Sequence, residues 1–568
     1  MSDAGEVEGG LDEPEALRPE PGSLRLASAT DDWARADWEG EAAAVLRRAR
    51  RLDPDVPDEA VWQALTRTTY DGVAITPLGT RADLDSAALG GRPTRSGPWD
   101  VRTRTAGDSG KAVADLENGA TSLWLVTDDV PPGRLADALA GVRLDLAPVV
   151  LEGPRLAHAE SLVALGPLHP DSNLGASHDA DLVDFARLAR QAGVRAVVVD
   201  GTRVHEQGAS DGQELGWVLA RGAQVLRALD AAGVPPAEAF GLIELRLAAT
   251  DEQFSTIAKF RALRRLWARL AELCEVPEPR TRIHAVTSRS MTSAFDVHVN
   301  LLRGTVAAFG AGVGGADALT VVPFDEPTGA VSDLGRRMAR NTSTLLVAES
   351  HVAVVADPAG GAYCVERLTD DLARVGWAEL GRIETEGSQA FDDRVADVRV
   401  RREADVATRR RPVTGLSTFP RPADRPPGRR NLTYRWGKAF EALRAEPSAA
   451  GVFLATLGPV AAHTARAGFA TNLFTAGGVA VDVAGATSGV DDLVAAYDGR
   501  PVVCVAGPDA AYAEWGADAA DSLRSAGAGH VVVMGAAQPW ADDSFREGDD
   551  AVDFLTRTRA ALAGQASA

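Results

Sequence analysis

A chain of 568 residues is too long for one hydrophobic core, so two folded domains with additional arms are expected. With 45% hydrophobic and 24% charged residues it reads as globular, and no run of about 18 apolar residues would span a membrane. A net charge of −21 repels phosphate backbones and argues against nucleic acid as a partner. The acidic opening MSDAGEVEGGLDEPEALRPEPG has no apolar signal region, which points to the cytoplasm. Cys274, Cys364 and Cys504 lie far apart in apolar segments without a CxxC pairing, as buried free thiols would in a reducing compartment.

Residues 1–28 read as a disordered acidic tail, rich in Pro and Gly. Residues 29–90 read as a helical arm, opened by capping types at Ala29-Thr30-Asp31-Asp32, with Trp33, Trp38, Ala43, Val45 and Leu46 near helical spacing. Strand-like apolar runs follow at Trp99–Arg104, Ser122–Val126, Pro148–Glu152, Ala196–Asp200, Leu242–Leu247, Ile283–Val286 and Ala318–Phe324. Helical segments separate most of them; over 213–230, Leu215, Leu219, Leu226 and Leu229 share a face. Seven or eight such units over 91–384 predict a (β/α)8 TIM barrel, with a doubly wound sheet as the alternative. Residues 385–450 are charged and Pro/Arg-rich, and read as a solvated linker rather than an RNA-binding arm. Over 451–568 the runs Gly451–Ala455, Ala480–Val483, Pro501–Val505 and Gly529–Met534 predict a smaller flavodoxin-like domain.

Several strings then occur in a fixed order. Thr69-Tyr70-Asp71-Gly72 and Ile75-Thr76-Pro77-Leu78 precede Pro98-Trp99-Asp100-Val101-Arg102. Lys259-Phe260-Arg261-Ala262-Leu263-Arg264-Arg265-Leu266-Trp267, Phe324-Asp325-Glu326, Ala339-Arg340-Asn341-Thr342 and Ala356-Asp357-Pro358-Ala359-Gly360-Gly361 follow, and Gly415-Leu416-Ser417-Thr418-Phe419-Pro420 matches more loosely. Together they resemble the adenosylcobalamin-dependent methylmalonyl-CoA mutases over roughly residues 30–568. The resemblance implies a barrel that threads acyl-CoA along its axis and a small domain that holds cobalamin over the barrel mouth. The cofactor supplies the radical chemistry, and the protein positions and shields it.

The resemblance also locates departures. In the family a D-x-H-x-x-G motif supplies the cobalt-ligating His and the Asp that orients it. Counted back from Gly468-Phe469-Ala470, these positions hold Thr456, Gly458 and Ala461. His463 is nearby at the wrong spacing. The family's later cofactor contacts map to Ala506-Gly507-Pro508 and Gly535-Ala536, where a second Gly is replaced. In the barrel, the family's Gly-Tyr-His becomes Gly201-Thr202-Arg203; an Arg cannot shuttle a proton near neutral pH. An active-site Tyr maps to Thr94, and His205 is shifted by two. Arg246 matches a family Arg near the substrate, with acyl-CoA contact or a structural ion pair as its two readings. Gly310–Gly315 and Gly477-Gly478 read as turns, and Asp179, Asp181 and Asp184 as a polar helix start rather than a metal site.

The resemblance therefore implies the small, non-catalytic subunit, with no catalytic, cofactor or metal residues of its own. Adenosylcobalamin and acyl-CoA would be bound by a homologous large subunit in a 1:1 heterodimer serving propionate metabolism. Two alternatives stay open at this point. One is a self-sufficient acyl-CoA mutase with an unusual cofactor site; the other is a free acyl-CoA-binding or scaffold protein.

Overall fold

The computed structural model describes residues 33–85, 92–422 and 434–565. The tail expected over 1–28 lies outside the described residues. One compact unit runs up to Thr69 and includes Ala74–Leu78; the other comprises Tyr70–Val73 and Gly79 onward.

In the first unit, helices α1 (Arg35–Arg48) and α2 (Val61–Leu65) bury Ala43, Leu46 and Val61 against Trp38 and Trp62. Glu39 accepts from the Trp62 indole at 2.6 Å and from Arg35 at 2.7 Å, so the small core carries its own polar clasp. Trp33 stays 72% exposed. The arm expected to reach residue 90 closes at Leu78; helix Arg81–Asp85 belongs to the second unit, where Asp83 pairs with Arg367 at 3.1 Å.

The second unit opens with a closed barrel of eight parallel strands: β1 (Asp100–Thr105), β2 (Ser122–Val126), β3 (Val149–Glu152), β4 (Asn173–Ala176), β5 (Arg195–Asp200), β6 (Ile243–Ala249), β7 (Ile283–Thr287) and β8 (Ala318–Thr320). Closure is made by β8 on β1, with Ala318 opposite Asp100. The period of two sends alternate residues inward. On β6, Ile243, Leu245 and Leu247 face the helices while Glu244 and Arg246 face the axis, where the partner strand offers His284.

Helix α3 (Asp211–Ala231), capped by Ser210, and helix α4 (Gln253–Leu273) form much of the outer layer. The string Lys259–Trp267 lies on α4 and is mostly buried: Lys259 sits at 0% exposure between Asp211 and Glu214, each at 2.8 Å. A further helix, α5 (Tyr363–Ala407), packs on both. It breaks at Gly387, whose φ of 86° is unfavourable to any residue with a side chain.

This helix corrects the linker reading of 385–450, since the chain is helical to Ala407 and again over Lys438–Ala445. Within the charged run, Phe391, Val395, Val398, Arg402 and Val406 are buried at helical spacing. Arg402 donates to the carbonyls of Gly208 and Ala209, at 2.6 and 3.2 Å, so a charge that looked solvated is a packing element. The thiols also differ from expectation: Cys504 is buried, Cys274 half-buried and Cys364 exposed.

The last domain is a five-stranded parallel sheet of β9 (Val452–Thr456), β10 (Val481–Val483), β11 (Val502–Ala506), β12 (His530–Met534) and β13 (Asp543–Phe545). Its order, β10-β9-β11-β12-β13, is the flavodoxin-like one. Phe453, Val503, Val505, Val531 and Val533 form its core with Leu523 of helix α6 (Asp509–Ser525). Among the described residues no helix is long and apolar enough to cross a membrane.

Candidate functional site

In parallel barrels chemistry sits at the carboxyl ends of the strands. On that face Arg203 and Thr202 occupy the turn after β5. Thr202 donates from its backbone N–H and its hydroxyl to Asp200, at 3.0 and 2.6 Å, which fixes the turn. Arg203 is exposed and borders an open cavity of about 440 Å3 with His178, Trp217 and Arg246.

Arg246 is 2% exposed. Its guanidinium donates to Asp200 at 2.8 Å and to His284 at 3.0 Å, and lies over the Trp124 ring at 4.1 Å. The carboxylate pairing considered for it is therefore present. His205 is buried and bonded to Ser288 at 2.7 Å. Burial, with Lys259 and Arg402 nearby, holds its imidazole well below the ordinary value.

Thr94 is not on this face. It precedes β1, and its neighbour Arg95 donates to the Ala316 carbonyl at 2.5 Å, just before β8 begins. The strands run away from that end, so Thr94 and Arg203 lie at opposite ends of the barrel. The side chain that β1 does bring to the mouth is Arg104, paired with Glu152 at 3.0 Å and 5.4 Å from the Trp124 ring. Arg104 was not singled out from the sequence, where it is one of two arginines in Asp-Val-Arg-Thr-Arg-Thr.

Beneath the mouth the barrel interior is filled by ionic groups. Arg102 of β1 meets Glu244 of β6 at 2.7 and 3.3 Å, and both side chains are 0% exposed. Arg282 approaches Glu244 at 3.5 Å. Burial alone would raise the Glu244 carboxyl; Arg102 and Arg282 outweigh it and hold the group below its ordinary range. The pair spans the barrel interior from β1 to β6. The alternation Ile-Glu-Leu-Arg-Leu over 243–247 was the available signal for inward charges.

In the last domain, the crevice for a ligand lies at the switch point between β9 and β11. Gly458 follows β9 at φ 87° and has no side chain to offer a metal. Thr456 is committed to the loop, its hydroxyl donating to the Gly485 carbonyl at 2.5 Å. Ala461 is exposed in the first turn of the helix Val460–Ala476. His463 is buried, and its Nδ1 lies 3.1 Å from the Gly458 carbonyl. Arg466 then reaches across: it donates to the Gly507 carbonyl at 2.5 Å and to Asp509 at 2.6 Å, and lies over Tyr512 at 5.1 Å. The Tyr512 hydroxyl donates to the Met534 carbonyl at 2.7 Å. Arg466 and Tyr512 thus lie together beside this switch point, where Gly458 and Ala461 offer no metal-ligating side chain. Among the described residues no group of three His, Cys, Asp or Glu side chains is placed to hold a metal.

The profile of the methylmalonyl-CoA mutase family matches residues 176–435. A methylmalonyl-CoA mutase small subunit of Streptomyces virginiae is 40% identical over 94% of this chain and 98% of that protein. One from Propionibacterium freudenreichii subsp. shermanii is 32% identical over 95% of this chain and 96% of that protein. The large subunit from Streptomyces virginiae is 32% identical over 39% of this chain and 32% of its own length. The shared length and the closed barrel with its appended flavodoxin-like sheet lead to one assignment: the chain belongs to the methylmalonyl-CoA mutase family, alongside its small subunits.

Proposed function

We propose that this chain is the small subunit of an adenosylcobalamin-dependent methylmalonyl-CoA mutase of the cytoplasm, and that it neither holds the cofactor nor turns over substrate. Its role is to stabilise a homologous large subunit in a 1:1 heterodimer. That partner binds adenosylcobalamin and acyl-CoA for the interconversion of methylmalonyl-CoA and succinyl-CoA in propionate metabolism. Association with the folded form stabilises both chains by mass action.

The observation that carries the non-catalytic reading is the Arg102–Glu244 pair across the barrel interior, at 2.7 Å and without exposure. An acyl-CoA cannot pass where these side chains meet. Gly458 and the Arg466–Tyr512 contact support the same reading for the cofactor, with Thr456 and Ala461 at the remaining motif positions. Arg203 at the mouth adds a charge where the family uses a proton carrier.

The test is spectral titration of the isolated chain with adenosylcobalamin, beside light scattering on co-expressed small and large chains. The expected result is no base-off, His-on spectrum for this chain alone and one 1:1 complex. Separate elution at micromolar concentration, with full activity in the large chain alone, would defeat the proposal.

A further inference from the structure

A second cavity lies beside β1. Arg102 points inward to Glu244, so Thr103, one residue on, points outward to the helix layer. There β1, β8 and the helix Asp333–Thr344 enclose roughly 170 Å3. Val101, Leu319 and Val321 supply apolar wall.

Three side chains lining this cavity end in buried polar atoms without a hydrogen-bond partner: Thr103 Oγ1, Arg340 Nε and Ser343 Oγ. Arg340 is 9% exposed and Ser343 1% exposed. Buried polar groups are ordinarily satisfied, so three orphans on one cavity call for a shared partner. Arg340 Nε can only donate, and both hydroxyls can donate, so that partner is an acceptor.

The local charge points the same way. Asp115 accepts from Arg340 at 2.6 Å and from Arg336 at 2.5 Å, so two guanidiniums share one carboxylate. The other acid on the cavity wall, Glu326, is bound to Arg289 at 3.1 Å. Arg104 at the rim is held by Glu152. Arg289 also pairs with Glu206 at 3.1 Å, so the ion pairs around the cavity balance overall. The local imbalance is at Asp115, where two guanidiniums share one carboxylate beside the orphaned donors, and buried charges are costly unless paired.

We propose that this cavity is a binding site for a short-chain carboxylic acid. The carboxylate accepts from Arg340 Nε, Ser343 Oγ and Thr103 Oγ1, and the aliphatic end lies against Val101, Leu319 and Val321. A cavity of about 150 Å3 holds benzene, so an acid of about six non-hydrogen atoms fits this one. A bare inorganic anion would leave the apolar wall uncovered. The site is separate from the crevice of the last domain, and stands whether or not the subunit reading does.

Calorimetry and ligand-observed NMR on the full chain at neutral pH would use butyrate, acetate, butyramide and inorganic phosphate as probes. Saturable butyrate binding is expected, with butyramide and phosphate at least about tenfold weaker, since a charged acceptor strengthens each hydrogen bond. Ser343→Ala and Thr103→Val remove hydroxyls that have no partner in the free protein. Each should weaken butyrate about tenfold or more while leaving the melting temperature of the ligand-free chain nearly unchanged. The proposal is overturned if butyrate shows no saturable binding up to roughly 50 mM, an affinity near −2 kcal/mol. It is equally overturned if phosphate binds more tightly than butyrate, or if both variants bind butyrate within about threefold of the parent chain.

Discussion

Replacing Glu244 by leucine removes the only carboxylate that Arg102 touches among the described residues. In the parent chain Arg102 gives two nitrogens to Glu244, at 2.7 and 3.3 Å, and its Nε to the Ser122 hydroxyl at 3.3 Å. Both charged groups are fully buried, so the guanidinium left behind cannot reach water. Arg282 loses a contact at 3.5 Å but keeps Asp171 at 3.1 Å and its close pairing with Asp100. Removing one partner of such a pair costs about 3–5 kcal/mol. A typical domain has about 5–15 kcal/mol in total, so the variant should lose a large share of its stability. Replacing both partners, Arg102→Met with Glu244→Leu, restores apolar packing and should recover most of that loss, because buried pairs often do no better than their hydrophobic replacements. Urea unfolding followed by fluorescence provides the assay, with Trp124 beside the pair as a local reporter. A single variant that loses less than about 1 kcal/mol, or a double variant no better than the single, would refute a closed, coupled ionic core.

Asp71 accepts from the Ser210 hydroxyl at 2.5 Å and from Gly212 N–H at 3.1 Å, and burial pushes its carboxyl up to about 6. A raised folded-state value means its contribution is full below the ordinary carboxylate pKa and is lost as pH rises through about 6. Asp71→Asn should remove a decline on the order of 2–3 kcal/mol between pH 4 and 7, read from urea midpoints across that range. Glu244 has the opposite sign: its lowered carboxyl stabilises above the ordinary value and is lost as pH falls through the depressed one, so Glu244→Gln should flatten the acid limb of the stability profile. Gly387→Ala forces a side chain onto φ 86° and should cost about 1–2 kcal/mol, measured as a lower melting temperature. Deleting residues 1–60, which include the exposed Trp33, should weaken assembly with the large subunit in light scattering while circular dichroism shows the barrel still folded.

Seven of the eight barrel strands were legible, several of them from apolar runs such as Ser122–Val126 and Arg195–Asp200 that are buried along most of their length. Strand β4 was not: Asn-Leu-Gly-Ala has one large apolar residue, and Asn173 spends its amide on the Val197 carbonyl at 3.0 Å. Strand β13 hides similarly in Asp-Ser-Phe. The helical continuation to Ala407 was obscured because its buried stripe is thin and includes Arg402 among many surface charges. Positions after strands, such as Arg203 and Gly458, follow directly once the strands are placed. The placing of Arg466 and Tyr512 beside the β9/β11 switch point depends on contacts across 41 and 22 residues, which no local pattern carries.

The seam between β8 and β1 governs how this chain can mature. Asp100 finds its partner Ala318 only after every intervening strand has been made, and Arg95 reaches the Ala316 carbonyl across 221 residues. At about 5–20 residues per second, synthesis of that stretch takes roughly 10–40 s. During that time β1 presents an unpaired edge, and the Arg102 guanidinium that later meets Glu244 still stands in water. Closing contacts of such sequence separation form late and slowly. Barrel completion is therefore expected to follow release of the β8 segment from the ribosome, and to be the interval in which this chain is most prone to pair with another nascent strand.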